Sequence, residues 1–213
     1  MVEVNAQGIT PSFLYGKPMK IRNICVYCGS SPGKNPAYMR AAKTLANAMY
    51  EHDIGLVYGG AAVGVMGAIA NAVLEGGGEA IGVIPKSLAV KEVAHSNLTQ
   101  LHVVASMHER KAMMAELADG FIALPGGWGT LEEIFEILTW AQLGFHNKPC
   151  GLLNIEGYYD GLIGFLDNAF EQQFVNELCR PMLIKASEPV ALLDQFSEYR
   201  APKVRKWMGE DEL

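Results

Sequence analysis

The run Leu124-Pro125-Gly126-Gly127-Trp128-Gly129-Thr130-Leu131-Glu132-Glu133 sets three glycines beside two carboxylates. It follows the apolar stretch Phe121-Ile122-Ala123-Leu124, which reads as a buried parallel strand. An apolar-periodic segment from 134 to 143 comes next and reads as a helix. Glycines at such a junction permit a tight turn and leave peptide N–H groups free at the positive end of a helix, where phosphate or another anion can sit. An acid next to that cradle suggests bond chemistry on a phosphorylated substrate. A structural account competes with this one. Thr130-Leu131-Glu132-Glu133 fits a capping box, with Thr130 capping the helix and Glu133 reaching back to its amide.

A second charged group lies at Glu109, Arg110 and Lys111, in the first turns of a helix expected from residue 107. Cations there oppose the helix dipole. Either Glu109 and Glu116 compensate them on a solvated face, or Arg110, with Lys111, attends an anionic ligand. Arginine suits the second task because its rigid fork pairs two donors with phosphate or carboxylate oxygens. His95, His102 and His108 are scattered, no H-E-x-x-H occurs, and Cys25-Val26-Tyr27-Cys28 has no second pair to complete a metal set. His146 reads as a helix-end cap or surface group, and Met107, Met113 and Met114 as core or subunit-contact groups. The glycines from Gly60 to Gly67 do not space as G-x-G-x-x-G, and no acid ends the strand at 80–84. The G-x-x-x-x-G-K-[ST] loop is absent too, so neither NAD nor ATP is indicated.

The elements that would position these residues alternate. Strands are expected at 24–27, 54–58, 79–84, 101–104, 121–124, 150–153 and 182–184. Helices are expected at 36–52, 68–75, 107–119, beyond 130, at 159–170 and at 189–199, with a polar loop at 86–97. The strands are short continuous apolar runs, the mark of a sheet covered on both faces. The fold class is therefore α/β: a three-layer, Rossmann-like fold with a mostly parallel central sheet and helices on both faces. The loops after residues 27, 58, 84 and 124 then share the carboxyl edge of the sheet, where such folds bind ligands. At 213 residues one domain is expected. It spans 21–200, after an irregular leader at 1–20 and before a polar tail at 201–213. The formal charge of −6 argues against a nucleic-acid surface. No secretory signal or membrane-spanning run is read, and the cysteine usage suits a reducing cytoplasm.

The chain resembles the LOG ("lonely guy") family, often mislabelled as lysine decarboxylases, over residues 21–199. The family's P-G-G-x-G-T-x-x-E motif matches Pro125 to Glu133 without a gap. Further matching pieces are Cys28-Gly29-Ser30-Ser31, Tyr58-Gly59-Gly60, Gly82-Val83-Ile84-Pro85-Lys86, Met107-His108-Glu109-Arg110-Lys111 and Thr139-Trp140-Ala141-Gln142-Leu143-Gly144. The resemblance implies a Rossmann-like homodimer that hydrolyses adenine-type nucleoside 5′-monophosphates, AMP and cytokinin riboside 5′-monophosphates, to free base and ribose 5-phosphate. Neither metal, cofactor, nucleic acid nor membrane is implied. The family's catalytic arginine and glutamate fall on Arg110 and Glu133. Its substrate-binding positions fall on Gly29, Ser30, Gly59, Gly60, Glu92, Arg110, Lys111, Gly126, Gly127, Trp128, Gly129, Thr130, Leu131, Glu132 and Thr139. Ala61-Ala62 and Val90-Lys91 depart from the commoner Gly-Ser and Pro-Arg, which bears on base preference. A lysine decarboxylase would need pyridoxal phosphate, and no lysine here has a context for that cofactor. The alternative to hydrolysis is a nucleotide-binding or molybdopterin-carrier-like module that performs no chemistry.

Overall fold

A computed structural model describes residues 20–89 and 94–202. Residues 1–19 of the leader, residues 203–213 of the tail, and Val90, Lys91 and Glu92 lie outside the described residues. Seven strands form one sheet: β1 (Asn23–Tyr27), β2 (Gly55–Tyr58), β3 (Ala80–Pro85), β4 (Gln100–Val104), β5 (Gly120–Ala123), β6 (Cys150–Leu153) and β7 (Leu183–Ala186). Among the described residues six helices lie between them, α1 (Ala37–Glu51), α2 (Gly64–Glu75), the single turn α3 (Lys86–Leu88), α4 (Met107–Leu117), α5 (Trp128–Leu143) and α6 (Asp160–Glu171), and α7 (Pro189–Glu198) follows β7. Short 3₁₀ turns occupy Ile155–Gly157 and Glu177–Met182.

Every strand pair is parallel, in the order β4-β3-β2-β1-β5-β6-β7. The four residues of β2, β5 and β6 are all buried, which is why no apolar–polar alternation marks them in the sequence. Side chains on β1 divide between two cores. Ile24 and Val26 pack with α1, α2 and α7, whereas Cys25 and Tyr27 pack with α4 and α5. All four cysteines are free and buried. Among the described residues no helix is long and apolar enough to cross a membrane.

The chain winds outward from β1 to β4 and then returns to place β5 on the other side of β1. The loops leaving β1 and β5 therefore diverge toward opposite faces, and a crevice opens between them at the carboxyl edge. Two boundaries differ from expectation, and both bear on that crevice. Helix α2 starts at Gly64 rather than residue 68. Gly64 is left-handed (φ +58°), and a Cβ on it would run into the backbone of Ser30 and Ser31. Glycine thus lets the start of α2 press onto the loop after β1, where the Val65 amide donates to the Gly29 carbonyl at 3.0 Å. The loop expected at 86–97 carries α3 and a bridge from Ala94 to Ala61.

Candidate active site

Helix α5 begins at Trp128 with Gly127 as its N-cap, and no side chain caps it. The capping-box expectation fails for that reason. Thr130 already lies inside the first turn, buried against Gly126, where a methyl group would collide with its hydroxyl. Glu133 turns inward, only 8% exposed. A helix start without a side-chain cap keeps its first N–H groups for another acceptor, as an anion site requires. Side-chain capping is found instead on α4. There Ser106 Oγ accepts from the Glu109 amide at 3.1 Å, and Glu109 Oε2 accepts from the Ala105 amide at 2.8 Å.

The glycine loop meets the loop after β1 through the Gly29 amide, which donates to the Pro125 carbonyl at 3.2 Å. Between them lies a cavity of about 280 Å³, lined by Gly29, Ser30, Gly126, Gly127, Tyr38 and Tyr158 among others. A Cβ at Gly127 or Gly129 would meet nothing within 4 Å. Trp128, between them, is 90% exposed.

Arg110 projects from α4 and is 9% exposed. Its Nε donates to the Val83 carbonyl of β3 at 3.1 Å and its Nη1 to Glu133 Oε1 at 2.9 Å. Its Nη2 lies so close to Gly59 that a Cβ there would overlap it. The two charges are thus held together out of water. Such a pair carries a desolvation cost, and losing one partner leaves the other stranded. Burial pushes the Glu133 carboxyl up from its ordinary value, and the Arg110 guanidinium opposes that shift.

Lys111 takes a different set of partners. Its Nζ bridges Glu132 Oε1 at 2.5 Å and Glu136 Oε1 at 3.0 Å. Burial works against its ammonium, but the two carboxylates outweigh burial and hold its pKa up. Charge compensation for Arg110 and Lys111 therefore comes from α5, across the helix pair, and not from Glu109 and Glu116 on their own helix.

The structure gathers the sequence-identified residues into two groups. Gly29, Ser30, Gly126 and Gly127 line the cavity, and Thr130 packs directly behind Gly126. Arg110, Glu133 and Gly59 form the buried pair and its seat. Gly60, left-handed at φ +74°, passes behind that seat and accepts the His95 amide at 2.9 Å. Leu131 is half-buried and packs against the core that holds Met114 of α4 and Phe121 of β5. Thr139 lies six residues beyond Glu133, about 9 Å along the helix. It is exposed and donates to the Phe135 carbonyl at 2.7 Å, so it does not reach the cavity within this chain.

His146 is neither a cap nor a surface group. One ring nitrogen engages the Ile137 carbonyl at 2.9 Å, and the ring lies 5.4 Å from that of Phe121. Sequence reasoning missed Tyr38, Tyr158 and Glu136. A Tyr-Tyr pair one short loop after the strand at 150–153 was the available signal, since that loop belongs to the same carboxyl edge.

Residues 66–196 match the family model described as "Possible lysine decarboxylase". The chain is 49% identical over 180 residues to the cytokinin riboside 5′-monophosphate phosphoribohydrolase LOG7 of Arabidopsis thaliana, covering 84% of this chain and 83% of the relative. It is likewise 49% identical over 180 residues to LOG of Oryza sativa subsp. japonica, a protein of the same name, covering 84% and 74%. Among solved structures, the molybdenum cofactor binding protein of Rippkaea orientalis aligns with a TM-score of 0.63 at 22% identity, over 84% of this chain and 98% of that one. A Moco carrier protein from Chlamydomonas reinhardtii aligns with a TM-score of 0.62 at 20% identity, over 83% and 98%. At those identities the likeness is one of fold. With near-half identity to its relatives across more than four-fifths of its length, and the family model spanning most of its sheet, this chain belongs to the LOG family.

Proposed function

We propose that this protein hydrolyses the N-glycosidic bond of adenine-type nucleoside 5′-monophosphates, AMP and cytokinin riboside 5′-monophosphates, releasing free base and ribose 5-phosphate. The observation that carries the reading is the buried Arg110–Glu133 pair at the carboxyl edge of the same sheet as an uncapped, glycine-lined helix start. The names of the relatives supply the substrate class.

The chemistry follows from the bond to be broken. Cleavage of a purine–ribose bond develops positive charge on the sugar and negative charge on the departing base. Glu133 stabilises the oxocarbenium-like ribose or takes the proton of the attacking water, whose oxygen ends on C1′. Arg110 offsets the charge of the base as it leaves. The phosphate, held on the loop amides and the positive end of α5, positions C1′ and lets remote binding energy act on the transition state. Lys111, Glu132 and Glu92 complete the nucleotide contacts in this assignment.

Base release from AMP and from isopentenyladenosine monophosphate, followed by chromatography, is expected to exceed release from the matching nucleosides by about 10²-fold or more, because phosphate binding energy is lost with the phosphate. Equal rates on nucleotide and nucleoside would discard the cradle. Tight nucleotide binding with no base release would favour a carrier instead.

The assembly assigned to this chain is a homodimer. Helix α6 has no fully buried residue, while Phe165, Phe174 and Leu178 stand exposed on α6 and the segment after it. Large apolar patches of this kind mark interaction sites. Thr139, exposed and turned to its own helix, would reach a nucleotide only from a partner subunit's side of the site. Sedimentation is expected to give twice the chain mass at micromolar concentration; a monomer there would remove the partner from the site.

A further inference from the structure

Where β5 runs into the glycine loop, three successive carbonyls each meet a donor, one from the loop after β1 and two from the loop after β6. The Tyr159 hydroxyl donates to the Leu124 carbonyl at 2.6 Å, the Gly29 amide to the Pro125 carbonyl at 3.2 Å, and the Tyr158 hydroxyl to the Gly126 carbonyl at 2.6 Å. A trans peptide is planar, so its N–H points opposite to its C=O. Fixing the Gly126 carbonyl therefore fixes the direction of the Gly127 N–H, at the N-cap of α5. Thr130 and the Gly29 amide crowd the Gly126 side of that peptide, but nothing packs on its Gly127 side. Gly127 is glycine, and the space around it is open.

Tyr158 is well placed to hold it. It lines the cavity with Ser30 and is 43% exposed, so it is not a core residue. Its ring is braced edge-on by Tyr38 (centroids 5.4 Å apart) and by Tyr159 (4.9 Å). Tyr38 in turn packs so closely on Gly33, left-handed at φ +72°, that a Cβ there would press into the ring.

We infer that Tyr158 is a positioning residue of the phosphate cradle: its hydroxyl keeps the Gly126–Gly127 peptide turned so that the Gly127 N–H serves the anion, and so sets the preference for phosphorylated substrate. The inference rests on the 5′-monophosphate reading of the same loop. It adds a determinant outside the Pro125 to Glu133 motif, contributed from the loop after β6.

Tyr158→Phe in the full chain removes the hydroxyl and keeps the braced ring. One hydrogen bond is worth a factor of about 5 to 10 in affinity. The KM for AMP and the calorimetric Kd for ribose 5-phosphate are both expected to rise by that factor. Turnover number, kcat/KM for adenosine and melting temperature should change little. A structural role alone would lower the melting temperature and leave the Kd where it was, and that result overturns the inference. A fall in kcat with unchanged KM overturns it too, since the hydroxyl would then act on the chemistry. Ribose 5-phosphate binding is read without turnover. Wild-type protein that binds it but releases no base therefore discards only the hydrolase reading, whereas wild-type protein that binds neither it nor inorganic phosphate discards both.

Discussion

Glu133→Gln is expected to lower kcat on AMP by about 10²- to 10⁴-fold, the range general acid–base and charge-stabilising groups contribute, while the protein stays folded. Glutamine keeps the shape of the side chain and an oxygen for Arg110 Nη1, and removes only the charge. The working form is the carboxylate. Because burial lifts the Glu133 pKa, against the pull of Arg110, protonation sets in at a higher pH than for a solvated glutamate near about 4.3. The acid limb of kcat/KM should accordingly lie above that value, with activity lost as pH falls through it. The residual activity of Glu133→Gln should lack that limb. Arg110→Ala is harsher, because it strands a buried carboxylate at a cost of about 3–5 kcal/mol. Its loss of turnover therefore mixes chemistry with a neutralised Glu133. Adding Glu133→Gln to Arg110→Ala should restore part of the stability and none of the activity, the non-additivity expected of groups that act as a unit. Wild-type turnover in Glu133→Gln, measured as base released, would remove the carboxylate from the reaction.

What the sequence revealed, and what it hid, divides along a physical line. The strands at 24–27, 121–124 and 150–153 were legible because a strand buried on both faces must be apolar throughout and must end where the chain turns. The glycine loop was legible for the same local reason. Thr130-Leu131-Glu132-Glu133 misled because one spacing serves two geometries. A cap and a first-turn residue differ only in where the helix starts, and Gly127 settles that with its backbone, not its side chain. Pairing Arg110 with Glu109 or Glu116 followed helix-surface rules, yet its partner arrives from 23 residues away on a packed neighbour. Tyr158 was hidden more deeply, since its acceptor lies 32 residues back and across β6. The Moco carrier protein aligned above makes the complementary point. It has this fold at about one-fifth identity, so the fold alone carries no chemistry and the motif residues must.

Gly59→Ala should cost nearly as much activity as losing the arginine, although Gly59 carries no reactive group. It directly follows the strand β2, and its φ is not left-handed, so the backbone itself accepts alanine. The obstacle is the guanidinium, whose Nη2 occupies the place of the new methyl. Arg110 has no easy retreat. Its Nε is bound to Val83 and its Nη1 to Glu133, and Met66 Sδ closes another side of the space around Gly59. A displacement of about 1 Å breaks at least one of those bonds, and misplacement of that size lowers turnover by about 10²-fold. Forcing one methyl into a packed site destabilises by about 1–3 kcal/mol, so the variant should remain folded and measurable. The signature is a large fall in kcat with ribose 5-phosphate affinity nearly unchanged, because the cradle lies on the other loop. Full activity in Gly59→Ala would mean that the guanidinium can leave its seat freely, and a fixed Arg110 could not then be what meets the departing base.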